Sequence, residues 1–298
     1  MNPTRQTRRP KPPSQPNQLS AFAVTAPGLE MLCASELADL GIRGLPEEGG
    51  VAWRGPIESV ARANLWLRTA SRVIVRVAEF KATAFFELEK QAKQIPWKRF
   101  VSSGARVDFR VTCHKSKLYH SDAVAQRFAT AVEWNVKGVK AGKASEHDDD
   151  ESAAIADQQL FIVRFVRDMC MVSVDTSGAL LHMRGYRQQL AKAPLRETLA
   201  AAVLFGAGWD GTTPLTDPMC GSGTIPIEAA QIARRMAPGR NRSFAFLKWP
   251  EVDKVKWKAI VTEAKSNELA RSPVAIEGFD RDRGGIEASI ANAERAGV

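Results

Sequence analysis

Long apolar runs are missing from this chain of 298 residues. No stretch approaches the roughly 18 consecutive apolar residues of a membrane-spanning helix. No signal-peptide core follows the amino terminus either. Cysteine is scarce: Cys33, Cys113, Cys170 and Cys220 stand apart with no Cys-x-x-Cys spacing. That argues against a zinc site or a disulfide framework and fits a reducing, cytoplasmic setting. The histidines, His114, His120, His147 and His182, are remote in sequence from Cys220. A cysteine nucleophile needs such an activator, so Cys220 reads as a packing residue. Acid is in deficit too, with 33 Asp and Glu against 42 Lys and Arg, a net charge of +9 and a pI near 9.6. Such an excess favours a polyanionic partner, most simply nucleic acid. Otherwise the composition, 44% hydrophobic and 25% charged, is that of a globular protein with room for two or three domains.

What is present centres on Thr216-Asp217-Pro218-Met219-Cys220-Gly221-Ser222-Gly223-Thr224-Ile225-Pro226-Ile227-Glu228-Ala229-Ala230. Pro214-Leu215-Thr216 enters a sheet, Asp217 closes the strand, and Gly221 and Gly223 make a tight turn whose bare backbone lets a ligand or another segment come close. Pro226 suits the first turn of the helix that follows. A phosphate-cradling loop needs a lysine after the turn, and Gly223 is followed by Thr224-Ile225. A dinucleotide fingerprint needs a small residue where Pro226 stands. Asp217 would repel a pyrophosphate, yet it suits a ligand with an amino group or hydroxyl donors, as S-adenosylmethionine has.

The run from Asp217 to Ala230 resembles the first motif of S-adenosylmethionine-dependent methyltransferases that carry an RNA-binding THUMP domain. It is most similar to the bacterial guanine-N2 methyltransferases of large-subunit ribosomal RNA. The resemblance implies an α/β chain: a ferredoxin-like unit and a THUMP domain, both α+β, followed by a Rossmann-like methyltransferase sheet. It implies cofactor binding by Asp217, Pro218, Met219, Cys220, Gly221, Ser222, Gly223 and Thr224. It also implies RNA as partner, rRNA rather than tRNA, with no metal.

Along the chain, residues 1–20 form a basic tail with Arg5, Arg8, Arg9, Lys11 and five prolines, too poor in apolar residues to fold. Residues 21–80 read as strand, helix, two strands, helix, strand, a ferredoxin-like unit. In 81–180, a helix over Ala84–Lys93 precedes the alternating strand Val107–Val111. That strand ends in a donor-rich loop holding Arg110, His114, Lys115, Lys117, Tyr119 and His120. Such a loop can grip a phosphate backbone and stack a base, or it can be a plain basic surface. His114-Lys115-Ser116-Lys117-Leu118-Tyr119-His120-Ser121 is similar to the THUMP signature, which favours RNA. Residues 137–158 read as a charged flexible insertion without a role. A hairpin across Arg167-Asp168 then closes the unit near Gly178.

Residues 181–298 begin the methyltransferase part. Arg184, Tyr186 and Arg187 are candidates for RNA or cofactor contact, with packing between the halves as the alternative. A helix is expected from Ala193. The basic, aromatic segment from Arg234 to Trp257 reads as a surface helix with tryptophan packing. Val274–Asp280 is a second strand, and Asp280 at its end should face the glycine turn and take the ribose hydroxyls; Asp282 is its rival. In relatives an Asn/Asp-Pro-Pro-aromatic segment holds the target base. None occurs in these 298 residues, so the expectation is a partial methyltransferase, inactive alone, with no catalytic residue assigned. The alternatives are an RNA-binding protein with a vestigial methyltransferase stub, or a DNA amino-methyltransferase, which the THUMP-like half argues against.

Overall fold

In the computed structural model, residues 18–144, 158–188 and 195–298 are described. Most of the tail, the acidic run Asp148-Asp149-Asp150-Glu151 and the start of the helix expected at Ala193 lie outside them.

The first unit runs β1 (Leu19–Thr25), α1 (Glu30–Asp39), β2 (Leu45–Glu47), β3 (Gly50–Gly55), α2 (Ile57–Trp66) and β4 (Ala70–Lys81). The second runs α3 (Phe85–Ala92), β5 (Arg106–His114), α4 (Ser121–Asn135), β6 (Lys140–Lys143), β7 (Gln158–Val166) and β8 (Met169–Asp175). Their strands form one sheet in the order β2-β3-β1-β4-β8-β7-β5-β6. The joint is β4. It pairs antiparallel with β1 through Ala70–Arg76 and with β8 through Ile74–Lys81, with a bulge between Arg76 and Ala78. A bulge increases local twist, which suits a strand serving two neighbours. The β7–β8 hairpin turns on Arg167 and Asp168, both at positive φ (50° and 65°), as a two-residue hairpin of this hand demands.

Alternation along these strands sends one set of side chains to the helices. Trp97, Phe109, Phe128 and Phe161 meet there, with ring centroids of Trp97 and Phe161 5.0 Å apart in a T-shaped pair. Part of the 137–158 insertion is structured: Lys140–Lys143 pairs parallel with β5 as the edge strand β6. Its neighbours on the sheet, not its composition, make it a strand.

The remainder is α5 (Glu197–Gly206), β9 (Leu215–Asp217), α6 (Thr224–Ala233), α7 (Lys254–Ser266), β10 (Ile276–Gly278) and α8 (Arg283–Ala296). β9 and β10 pair parallel, Gly278 opposite Asp217. The aromatic segment between α6 and β10 is not a surface helix. Phe244, Phe246 and Trp249 are buried in the same core as the eight-stranded sheet; a single 3-10 turn spans Ala245–Lys248, and α-helix begins only at Lys254. The Trp249 indole donates to Gln159 Oε1 at 2.8 Å, which satisfies its one polar atom inside that core.

Candidate functional site

At the end of β9 the chain folds back on itself. Asp217 Oδ1 accepts from the Met219 amide at 3.0 Å, Cys220 N–H donates to Phe279 O at 2.8 Å, and Gly223 N–H donates to Cys220 O at 2.8 Å. Both glycines sit at positive φ, Gly221 at 53° and Gly223 at 84°, where side chains are strained. Their surroundings differ. A Cβ on Gly223 would lie 2.2 Å from Ser289 Oγ on α8, so this glycine serves helix packing. A Cβ on Gly221 would meet nothing within 4 Å, so this position opens outward.

Asp280 faces the turn across the strand ends. Its Oδ2 accepts from Gly221 N–H at 2.8 Å and its Oδ1 from Asp282 N–H at 2.9 Å. These two amides, that of Asp282 first, hold its carboxyl below the usual range. Each oxygen keeps a second lone pair for another donor. Asp282 is committed elsewhere: as N-cap of α8 it accepts from Gly284 and Gly285 N–H at 3.3 and 3.2 Å. The structure thus brings Asp217, Pro218, Met219, Cys220, Gly221, Ser222, Gly223, Thr224 and Asp280 together at adjoining strand ends. Met219 is 81% exposed, whereas Ser222 and Thr224 are buried. Cys220 is buried against Gly278, and burial, followed by the Asp217 and Asp280 carboxylates, pushes its thiol up. That is the opposite of an activated nucleophile.

One support of this turn escaped sequence reading: Asn292 Nδ2 donates to Ser222 O at 3.1 Å from α8, and the residue carries no local signal because it acts across a long sequence separation. Arg187, singled out in the linker, donates from Nη2 to Thr224 Oγ1 at 3.3 Å.

Arg184 and Tyr186 require correction as RNA contacts. Both are buried, at 4% and 3% exposure, and cannot present a surface to a polyanion. They converge on Glu228 of α6: Tyr186 OH donates to Oε1 at 3.2 Å and Arg184 Nε lies 3.5 Å from it. Arg68, between α2 and β4, reaches Glu228 Oε2 at 3.3 Å. One buried carboxylate therefore ties the first unit and the linker to the helix that leaves the glycine turn. Burial, then the Glu228 charge, drives the Tyr186 hydroxyl well above its ordinary value, so it stays protonated and donates.

The donor-rich loop lies at the far end of β5. His114, Lys115, Lys117, Tyr119 and His120 are exposed and Arg110 half-buried, while Leu118 is buried as the anchor. The loop is pinned to the β7–β8 turn: Lys117 N–H donates to Asp168 Oδ1 at 2.7 Å and Asp168 N–H to Ser116 Oγ at 3.0 Å. The Tyr119 and His120 rings sit 4.0 Å apart. Arg167, exposed on the pinning turn, joins this basic cluster unannounced by the sequence.

The molecule matches two family models: an RlmL ferredoxin-like domain over residues 20–74 and an RMKL-like methyltransferase domain over residues 184–298. YpsC of Bacillus subtilis, named provisionally as an RNA methyltransferase, is 35% identical over 275 residues, covering 92% of this chain and 70% of that protein. The ribosomal RNA large subunit methyltransferase K/L of Vibrio campbellii is 36% identical over 286 residues, but only 39% of its length is covered. Among solved structures, SMU.472, provisionally designated a methyltransferase and crystallised with SAH, superposes with a TM-score of 0.82 at 31% identity, over 95% of this chain and 74% of that one.

Proposed function

Since this chain belongs to the family of RNA methyltransferases that join an RlmL ferredoxin-like domain to an RMKL-like methyltransferase domain, we propose that it serves methyl transfer from S-adenosylmethionine to a guanine N2 in large-subunit ribosomal RNA. Use of S-adenosylmethionine follows from the family and from the SAH-bound neighbour. The observation carrying the cofactor assignment is the outward-open Gly221, its N–H already held by Asp280 at 2.8 Å. The residues present fit the group. Two carboxylates and no lysine line the turn, which suits an amino group and ribose hydroxyls and disfavours phosphate. Asp217 and the backbone from Pro218 to Thr224 would hold the methionyl end, and Asp280 the ribose. When bound, S-adenosylmethionine supplies an electrophilic methyl group on a sulfonium. The protein's own part is to fix position and alignment, an entropic contribution that needs no covalent residue.

Residues 81–180 serve in this reading as a THUMP RNA-binding domain. Its loop, with Lys115, Lys117, Tyr119 and His120, grips phosphate and stacks a base. Residues 21–80 are the ferredoxin-like unit and 181–298 the cofactor-binding part. Among the described residues no helix is long and apolar enough to cross a membrane, and no cluster of metal ligands occurs. We place the protein in the cytoplasm, where its RNA is assembled.

Calorimetric titration with S-adenosylmethionine tests the cofactor assignment. Asp280→Ala should weaken binding by about tenfold or more, the equivalent of a lost charge-assisted hydrogen bond; unchanged affinity removes the ribose role. Nucleoside mass spectrometry of large-subunit rRNA from cells lacking the gene tests the rest. One N2-methylguanosine should disappear, and loss of a methyladenosine instead would overturn the guanine assignment.

A further inference from the structure

The helices cover one face of the eight-stranded sheet. The other face carries a groove of ≈ 690 Å³ across β1, β4, β8, β7 and β5. Its floor is apolar, with Phe22, Ile74, Ile162 and Met171. Its charge is mostly basic: Arg72, Arg76, Arg110 and Arg164 against Glu48 and Glu79. Arg72 is paired with Asp175 at 2.6 Å, and Arg76 pairs with Glu47 at 3.0 Å while lying over the Phe22 ring. Arg164 is exposed in the middle of β7.

The ends of this groove matter as much as its lining. At one end stand Val166 and Met169, flanking the Arg167-Asp168 turn that pins the Lys115–His120 loop. At the other stands Leu180, which opens the linker to Arg184 and Tyr186 and so to α6. The groove therefore connects the basic loop with the approach to the glycine turn.

We propose that this groove holds a single-stranded stretch of RNA, with bases on the apolar floor and phosphates on the exposed Arg164 side of β7 and β5, leading it from the loop toward the linker. The inference rests on the RNA reading given above and adds a path to it. Unpaired bases present flat apolar faces and a flexible anionic backbone, the two properties that this lining matches. A duplex keeps its bases stacked inside and offers the floor nothing. A second copy of the chain would bring arginine against arginine across a two-fold contact. The amino-terminal tail, with Arg5, Arg8, Arg9 and Lys11 and no acid, is repelled by the same charge.

The test uses the full chain and a short fluorescein-labelled oligouridine, followed by anisotropy at low salt. Arg164→Glu should weaken binding about tenfold, because it reverses a phosphate-facing charge. Ile162→Glu should do likewise by charging the floor, and unlabelled duplex RNA should compete poorly. Melting temperature and S-adenosylmethionine affinity should stay those of the parent in Arg164→Glu, which is a surface change. Lys258→Glu, at an exposed position of α7, should bind as the parent does. If both groove variants bind normally while Lys115→Glu does not, RNA rests on the loop alone. The groove inference is then overturned and the RNA reading stands. Equal competition by duplex overturns the single-strand assignment. Failure of the parent chain to bind any RNA overturns both the groove and the substrate class.

Discussion

The eight-stranded sheet and the two-stranded glycine-turn region are built to different standards. The sheet region has a continuous core of large side chains, with Trp97, Phe109, Phe128 and Phe161 fully buried at its centre. Around the turn, the separate cluster of buried apolar residues is Tyr186, Ile227 and Ala296. The difference is made up by exchange. The segment between α6 and β10 sends Phe244, Phe246 and Trp249 into the sheet's core, and Glu228 reaches back to Arg68. The glycine turn keeps an open backbone at Gly221 and positive φ at both glycines, which is costly locally. Here the stabilisation comes from the larger neighbour.

The most severe way to break this contrast is Phe161→Ala. Removing a buried ring costs about 3–5 kcal/mol, and scanning calorimetry should show melting lowered by about 10 °C. The proposed cofactor site should be lost in the same transition, because the aromatic segment that follows α6 shares that core. Independent melting of the two regions would refute the exchange. Arg68→Met should cost about 3 kcal/mol, since it strips a buried carboxylate of one cation. Denaturant unfolding should then show the turn region opening first.

A finer cut compares the two glycines. Gly223→Ala meets Ser289 and a positive φ, so about 1–3 kcal/mol of strain should appear. Gly221→Ala has space around it and should cost only about 1 kcal/mol of stability. Calorimetric titration should nonetheless show cofactor binding impaired in both, through helix displacement in one and a filled approach in the other.

The smallest effect is in pH. Burial lifts the Glu197 carboxyl from 4.5 to about 7, partly offset by Arg187. Between those values the unfolded chain releases its proton while the folded chain keeps it, so stability falls as pH rises through that window. Glu197→Gln removes this term. The variant should gain in melting temperature on the parent between pH 5 and 8 and match it at the acid end.

Much of the sheet region was legible because its signals are local. Alternation marked β5, the order of β1 to β4 followed from periodicity and turn residues, and the paired positive-φ residues sit at the hairpin read from the sequence. The glycine turn was legible as a string of residues with defined backbone demands. What was not legible depends on remote partners. β4 is twelve residues long because two strands need it, and only its middle alternates clearly. β6 is a strand because β5 offers an edge. Arg184 and Tyr186 look like surface donors until Glu228 is folded beside them. The sequence favours Asp280 over Asp282 because Asp280 ends the apolar run, and the cap on α8, which occupies Asp282, is the part that only the fold reveals.

The doubly used strand β4 has a mechanical consequence. Whatever pulls on the Lys115–His120 loop pulls, through Asp168 and β8, on a strand that continues past its bulge to Ala70, two residues from Arg68 and its grip on α6. A displacement of that loop would thus pass through hydrogen bonds and one shared strand to the helix that leaves the glycine turn.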